Sequence, residues 1–297
     1  MRISTSLISQ LGINSILDQQ SKLSKTQLQL ATGKRILTPS DDPTGQTRLL
    51  DIRQSLETNK QYQDNIDTVR SRLTLEEATL TGVSDLLQRV SELAVQGVND
   101  TQSAETRRGI EAEVRQLLGE LLSLANKKNA NGEHLFGGDI VNSLPFSGNE
   151  NTGGFAYNGD TGQRTIQISE TRRIADGDPG ESVFGAVGGG ASVFEVLFDF
   201  ANDMNTNAPD PAAIDEIHQV LSGILEVRAG VGARLNALER QKEVNADFIL
   251  DAQTAKSAVE DLDYAEATGR FNLESVALQA AQQAYIKVQG LSLFNFL

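Results

Sequence analysis

The sequence predicts a mainly α-helical protein: a bundle of long helices with terminal coiled-coil helices and a small β-rich insertion domain. Proline and glycine divide the chain accordingly. Residues 44–144 and 212–297 contain no proline, whereas 14 of the 26 glycines fall between residues 131 and 190. Proline-free stretches permit long helices, and the glycine-rich stretch between them favours turns and short strands.

The proline-free stretches carry apolar residues at alternating steps of three and four. Such runs occur at residues 66–94, 110–124 and 214–238, and Glu76 is the polar exception in the first of them. This spacing indicates helices that pack lengthwise, as in coiled coils. Additional leucines widen the stripes beyond a two-stranded seam, which favours a bundle of three or four helices.

The glycine-rich insertion has a different pattern. Residues 155–157 and 164–168 alternate around a turn rich in Gly, Asn and Asp, which predicts that these two stretches form a β-hairpin. Bulky apolar side chains for a separate aromatic core are supplied by Phe136, Phe146, Phe155, Phe184 and Phe194.

The two ends of the chain predict helices with narrow apolar stripes. Helices of this kind are marginal in water, so we expect both ends to be mobile in a free subunit and to order on assembly. The predicted assembly residues are Ile3, Leu7, Leu11, Leu17 and Leu28 near the start, and Leu273, Val276, Ala280, Ala284, Val288, Leu291, Phe294 and Phe296 near the end.

Four ranges are expected as domains. Residues 1–42 form an N-terminal assembly helix that pairs with a C-terminal one, residues 256–297. Residues 43–135 together with 210–255 form the helical bundle, and residues 136–209 form the β-rich outer domain.

Two charged turns separate the first helices. The helix–helix turn consists of Pro39, Ser40, Asp41, Asp42 and Pro43. Asp42 is expected to cap a helix that begins at Pro43, so adjacent acids here are structural rather than catalytic. A later turn with Asp100, Glu105, Arg107 and Arg108 is interpreted as a solvated loop.

Composition argues against several functions. The chain has no Cys, only two His and a net charge of −14, which disfavours thiolate metal sites, Cys nucleophiles and nucleic-acid binding. We expect no metal, no cofactor, no membrane insertion and no catalytic site. The alternative of an extracellular hydrolase would need a pair among the insertion's acids: Glu150, Asp160, Glu170, Asp176, Asp178, Glu181, Asp199 and Asp203.

Several motifs, in order and at both ends, resemble the flagellin family. They are Leu-Ala-Thr-Gly-Lys-Arg-Ile at residues 30–36, Pro-Ser-Asp-Asp-Pro at 39–43, Gly-Val-Gly-Ala-Arg-Leu-Asn at 230–236 and the terminal residues 291–297. The start Met-Arg-Ile-Ser-Thr, the two prolines at 39 and 43, residues 125–138 and the Tyr-Asn-Gly-Asp stretch from residue 157 are similar to the hook-associated protein 3 branch of that family.

The resemblance implies a structural, non-enzymatic role at the junction between flagellar hook and filament, in the service of motility. It implies secretion by flagellar type III export and a cytoplasmic export chaperone that binds near residues 256–297. It also implies a ring of copies of the chain itself, with hook-associated protein 1 on the hook side and flagellin on the filament side. A minor filament flagellin is the alternative within the family, and a soluble coiled-coil adaptor is the alternative outside it.

Overall fold

The computed structural model describes residues 5–185 and 191–294, and these residues form seven helices and four short strands. The predicted fold class is confirmed. The helices are α1 (Thr5–Thr32), α2 (Pro43–Val98), α3 (Ala104–Ala125), α4 (Gly180–Phe184), α5 (Val193–Thr206), α6 (Ala212–Glu260) and α7 (Tyr264–Phe294). The strands are β1 (Phe146–Asn149), β2 (Gly153–Tyr157), β3 (Thr165–Gln167) and β4 (Arg173–Ala175).

The chain packs as two compact units. The terminal unit comprises residues 1–58 and 248–297, and the central unit comprises residues 59–247. Helices α2 and α6 contribute residues to both. The four predicted domain ranges remain a prediction. In the structure, residues 136–209 belong to the same compact unit as most of the bundle.

The core of the central unit follows the predicted helical stripes. Helix α2 buries the apolar members of its run completely, among them Ile66, Leu73 and Leu87. In helix α3 the buried face is offset by one position from the predicted run. Leu118 is fully buried, whereas the predicted Leu117 is only partly buried. The reason is that α3 packs against α5 as well as against the bundle, so its apolar face is wider than a single seam.

The hairpin predicted for residues 155–168 is wrong. Strand β2 pairs with β1, where Phe146 faces Tyr157, and strand β3 pairs with β4, where Ile166 faces Ile174. The intervening turn folds onto Asp160, whose Oδ1 accepts hydrogen bonds from the backbone of Asp139 at 2.8 Å and of Gly162 at 2.9 Å. That local bonding separates β2 from β3, so each strand pairs with its other neighbour.

The aromatic side chains of the insertion do not form a separate core. The Phe146 ring lies 5.4 Å from that of Phe184 and 5.0 Å from that of Phe194, centroid to centroid. Phe194 lies on α5, which packs on α3, so this cluster is continuous with the core of the bundle. Strand-bearing residues and helices thus share one hydrophobic interior.

The start of α3, just after the turn from α2, contains a buried arginine. Arg107 donates hydrogen bonds to the carbonyl oxygens of Gly97 at 3.0 Å and Asn99 at 3.1 Å, and to Oδ1 of Asn207 at 2.8 Å. The interpretation of this turn as solvated is therefore wrong for Arg107. The guanidinium donates to carbonyl oxygens at the end of α2. The last carbonyl oxygens of a helix have no partner within the helix and must find one elsewhere.

Candidate assembly surface

Helices α1 and α7 of the terminal unit pack against each other along a buried seam. On both helices the half-buried and buried side chains recur at alternating steps of three and four, the spacing of a coiled coil. The positions at these steps, the buried seam, are Ser9, Gly12, Ile16, Gln19, Leu23, Thr26 and Leu30 on α1, and Ala267, Phe271, Glu274, Leu278, Ala281 and Tyr285 on α7, and they are flanked by buried Gln29 and half-buried Ser275 and Ala277.

The buried seam mixes apolar and polar side chains, and most of them are only half-buried. The Tyr285 hydroxyl lies 3.1 Å from Oγ of Ser9 and accepts a hydrogen bond from Nε2 of Gln289 at 2.7 Å. Gly12 leaves space for the Tyr285 ring, since a Cβ there would come within 2.7 Å of it. The large apolar members of the seam, such as Ile16, Leu23 and Phe271, are only half-buried, so the pairing of α1 with α7 gains only modest hydrophobic stabilisation.

The predicted assembly residues lie mostly outside this seam. Every described large apolar member of the set is between 45% and 72% exposed. These outward residues, the outer stripe, are Leu7, Leu11, Leu17 and Leu28 on α1 and Leu273, Val276 and Val288 on α7, with exposed Ala280 and Ala284 between them.

Four members of the predicted set have no described side chain. Leu291 and Phe294 lie within α7, whereas Ile3 and Phe296 fall outside the described residues. Conversely, the exposed Ile13 and Ile286 belong to the same helices and were missed. Both lie off the strict heptad step, so a search for apolar residues over the whole helical circumference would have found them.

A short antiparallel pairing joins the end of α1 to the end of α6. The backbone N–H of Arg35 donates to the carbonyl oxygen of Glu260 at 2.8 Å, and that of Leu262 donates to Gly33 at 3.0 Å. Gly33 has φ +69°, a conformation that favours glycine at the end of a helix. The Gly-Lys-Arg motif thus ends α1 and pairs with the α6–α7 connection.

A buried carboxylate lies at the same joint. Glu260 forms ion pairs with Lys34 at 2.7 Å, Arg53 at 2.8 Å and Lys256 at 3.4 Å. The hydrogen bond from Lys34, together with the charges of Arg53 and Lys256, lowers the pKa of Glu260. Sequence reasoning missed Glu260, because one acid at the end of a long helix carries no local signal of its distant partners.

The turn between α1 and α2 uses its two aspartates structurally. Oδ2 of Asp41 accepts hydrogen bonds from the backbone of Leu37 and Thr38, while its Oδ1 lies 2.6 Å from Nζ of Lys25. The Lys25 contact is the main reason that the pKa of Asp41 is lowered to about 2. Asp42 accepts from the backbone of Gly45 at 2.8 Å, which caps the first turn of α2.

Other polar groups singled out in the sequence have structural partners. Nδ1 of His134 lies 2.8 Å from the carbonyl oxygen of Asn126, and Nε2 of His218 lies 2.9 Å from Oγ of Ser91. Across the described ranges, no group of three or more His, Cys, Asp and Glu side chains is placed to hold a metal ion. Within the same ranges, no helix combines the length and apolar character needed to cross a membrane.

Comparison with known proteins first shows which class of protein the chain resembles. Residues 3–140 match the model of the bacterial flagellin N-terminal helical region. The chain is also 27% identical over 256 residues to a flagellin of Treponema pallidum, covering 84% of this chain and 83% of that one. In its long helices and in these matches the chain is similar to structural proteins of the flagellin type.

Similarity to one kind of flagellar protein extends further. The chain is 28% identical over 318 residues to flagellar hook-associated protein 3 of Escherichia coli K12, covering 99% of both chains. A crystal structure of the flagellar junction protein from Legionella pneumophila shares the fold, with a TM-score of 0.61 and 21% identity, covering 72% of this chain and 100% of that chain. The resemblance to hook-associated protein 3 predicted from the motifs is confirmed.

Proposed function

We propose that this chain is a structural adaptor of the bacterial flagellum that joins the hook to the filament. The observation that carries the proposal is the end-to-end similarity to hook-associated protein 3, which includes both terminal helices. Helices α1 and α7 are the elements that expose an apolar stripe. The function is therefore assembly by packing, and no catalytic step is assigned to it.

The energetics of the terminal helices support assembly through the outer stripe. Fully burying a leucine side chain contributes about 1.5–3 kcal/mol, whereas ordering a residue's backbone costs about 1–2 kcal/mol. The seam, whose large apolar side chains are only half-buried, leaves this cost largely uncompensated in a single subunit. Neighbouring subunits that cover Leu7, Leu11, Leu273 and Val276 would supply the missing stabilisation, which favours ordering of the ends on assembly.

The same reasoning extends to partners and location. Copies of this chain form a ring, with hook-associated protein 1 on the hook side and flagellin on the filament side. The subunit leaves the cell by flagellar type III export, and a cytoplasmic chaperone masks residues 256–297 beforehand. In this proposal residues 1–42 and 256–297 are the assembly helices, and residues 136–209 are the outer domain.

The test is immunogold labelling of sheared flagella, with antibodies raised against the purified central unit. We expect a single narrow band where hook meets filament, and cells lacking the gene should carry bare hooks and release flagellin into the medium. Gold along the whole filament, or normal filaments on cells lacking the gene, would refute the adaptor role.

A minor filament flagellin is the second candidate. The observation that favours it is the 27% identity to a filament-type flagellin, nearly as high as that to hook-associated protein 3. Coverage separates the two, because the flagellin alignment spans 84% of this chain and the other spans 99%. Labelling along the filament is the outcome that would select the flagellin.

A further inference from the structure

A cluster of charged side chains attaches the strand-bearing segment to the helices of the central unit. We call it the ion cluster. Its members come from α2, from α6, from the loop between α3 and β1 and from the loops around β3 and β4, and they are Arg72, Glu76, Glu133, Arg164, Asp176, Asp178 and Arg234. Residues 163–178 therefore meet both long helices through charged groups.

Three carboxylates of the ion cluster have guanidinium partners. Arg72 lies 3.1 Å from Glu133, and Nε of Arg164 donates to Asp176 at 2.7 Å. Arg234 of α6 pairs with Asp178. These three pairs balance three positive charges with three negative ones.

Glu76 is the fourth carboxyl group and has no guanidinium partner of its own. It is 2% exposed, and its Oε1 accepts the backbone N–H of Asp178 at 3.2 Å. Its Oε2 is buried and has no hydrogen-bond partner among the described residues. This oxygen lies against Gly177, where a Cβ would be 3.7 Å away. Nε of Arg72 and Nη1 of Arg234 also lack hydrogen-bond partners among the described residues, but neither arginine forms an ion pair with Glu76 there. An ionised carboxylate without an ion pair is costly in a protein interior.

We propose that Glu76 holds a proton in the folded protein at neutral pH, and that its ionisation loosens the attachment of residues 163–178 to α2 and α6. Three observations support a neutral acid: the balanced charges of the other six groups, the depth of burial and the unpaired Oε2. Protonation removes the fourth negative charge and leaves a carboxylic acid beside Asp178. The protonation state of Glu76 thereby makes the attachment of the strands to the bundle dependent on pH.

The direction of the pH effect follows from the environment of Glu76. Burial, and then the charge of Asp178, raise its pKa from 4.5 to about 8, although Arg234 opposes the shift. When the segment detaches, the carboxyl group is solvated and its pKa returns towards 4.5. The attached state therefore binds the extra proton, and its stability falls as the pH rises from about 4.5 to about 8, then levels off.

Other contacts of the segment do not depend on this proton. The side-chain amide of Asn65 donates to the carbonyl oxygen of Gln167 at 2.8 Å, and that of Asn245 donates to Ile168 at 3.0 Å. His134 lies beside the cluster, because its carbonyl oxygen accepts from Arg72 at 3.4 Å.

The test is hydrogen–deuterium exchange of the full chain between pH 5.5 and 9, with rates corrected for intrinsic exchange. In peptides covering residues 163–178, protection should fall about tenfold per pH unit up to pH 7.5 and level off above pH 8, since one proton is released on opening. Glu76→Gln keeps the shape without the proton, so its protection should be independent of pH. Glu77→Gln is the matched control: Glu77 pairs with Arg228 at 2.7 Å instead, and this variant should keep the wild-type slope.

A second measurement keeps the proposal falsifiable if exchange is too fast to resolve. The carboxyl carbon of Glu76, labelled with ¹³C and assigned by its loss in Glu76→Gln, should titrate with a midpoint near pH 8. Titration between pH 4 and 5 would overturn the proposal. So would a Glu76→Gln variant that shows the wild-type dependence of protection on pH, or wild-type protection that does not change with pH.

Discussion

At the scale of the residue, a few charged side chains of this protein are buried. These have structural roles that the charged residues of the surface do not have. Arg107, Glu76 and Glu260 are all less than 9% exposed, and each joins segments far apart in sequence. Arg107 and Glu260 are fully paired with opposite charges or with carbonyl oxygens, whereas Glu76 is not. Paired buried charges contribute specificity of packing, and removing one partner leaves the other groups without compensation.

The first prediction concerns Arg107. Replacing it with Met should lower the free energy of unfolding by about 2–4 kcal/mol, because three acceptors, of which the Gly97 carbonyl oxygen is buried, lose a charged donor. Urea denaturation followed by circular dichroism measures this change. Arg108→Met is the matched control, since Arg108 is exposed and adjacent; equal effects of the two substitutions would contradict the assignment.

At the scale of the element, α1 and α7 each have two different faces. One face packs against the other helix, and the other face is exposed. The buried seam mixes polar side chains with half-buried apolar ones such as Leu23 and Phe271, whereas the outer stripe consists of exposed Leu, Val and Ala. An amphipathic helix normally turns its apolar face inward. Apolar side chains left exposed in a single subunit are available to other chains, as the proposed function requires.

The second prediction follows from that arrangement. Leu273 is 72% exposed, so Leu273→Ser should change the free energy of unfolding of the purified subunit by less than about 0.5 kcal/mol. The same variant should be strongly reduced in sheared flagella and should impair swimming in soft agar. The neighbouring exposed Asn272→Ser is the control and should behave as wild type. Normal incorporation of Leu273→Ser would show that the outer stripe is not an assembly surface.

The joint between α1 and α6 shows why a short motif can matter to long helices. Gly33 ends α1 with a left-handed conformation, and Lys34 reaches the Glu260 carboxylate. The Tyr264 hydroxyl would lie 2.9 Å from a Cβ at residue 33, so a larger side chain would crowd it. Conformation and space therefore both favour glycine at this position.

At the scale of the whole molecule, the two compact units differ in how they are stabilised. The central unit has a continuous core of completely buried aliphatic and aromatic side chains, including Leu80, Phe136 and Phe194. The terminal unit buries few large apolar residues and exposes many. Apolar burial is the main source of folding stability, so the units should differ in resistance to opening.

The third prediction tests that difference. Brief digestion of the free subunit with a low concentration of protease should remove both ends and leave a resistant fragment close to residues 59–247. Mass spectrometry of the fragments gives the cleavage sites. If α1 and α7 survive as long as the central helices do, the terminal helices are stable without partners and the proposed ordering on assembly is wrong.

Much of this organisation could be predicted from the sequence. Long helices were indicated by the three-and-four spacing at residues 66–94, and the terminal stripes were indicated by Leu7, Leu11 and Leu273. The pairing of β2 was predicted wrongly, because short strands of similar composition carry no signal that selects their partner. The bonding of Asp160, which separates β2 from β3, involves a residue 21 positions away.

What the sequence by itself determined is the set of helices, their apolar stripes and the family they resemble, because helical periodicity and motifs are local properties of the chain. Only the tertiary structure decided which stripe is covered and which is left exposed, which strands pair, and which charges are buried together. Those outcomes depend on contacts between residues distant in sequence. The seam of α1 against α7, the three cations around Glu260 and the unpaired oxygen of Glu76 are examples of what such contacts alone can decide.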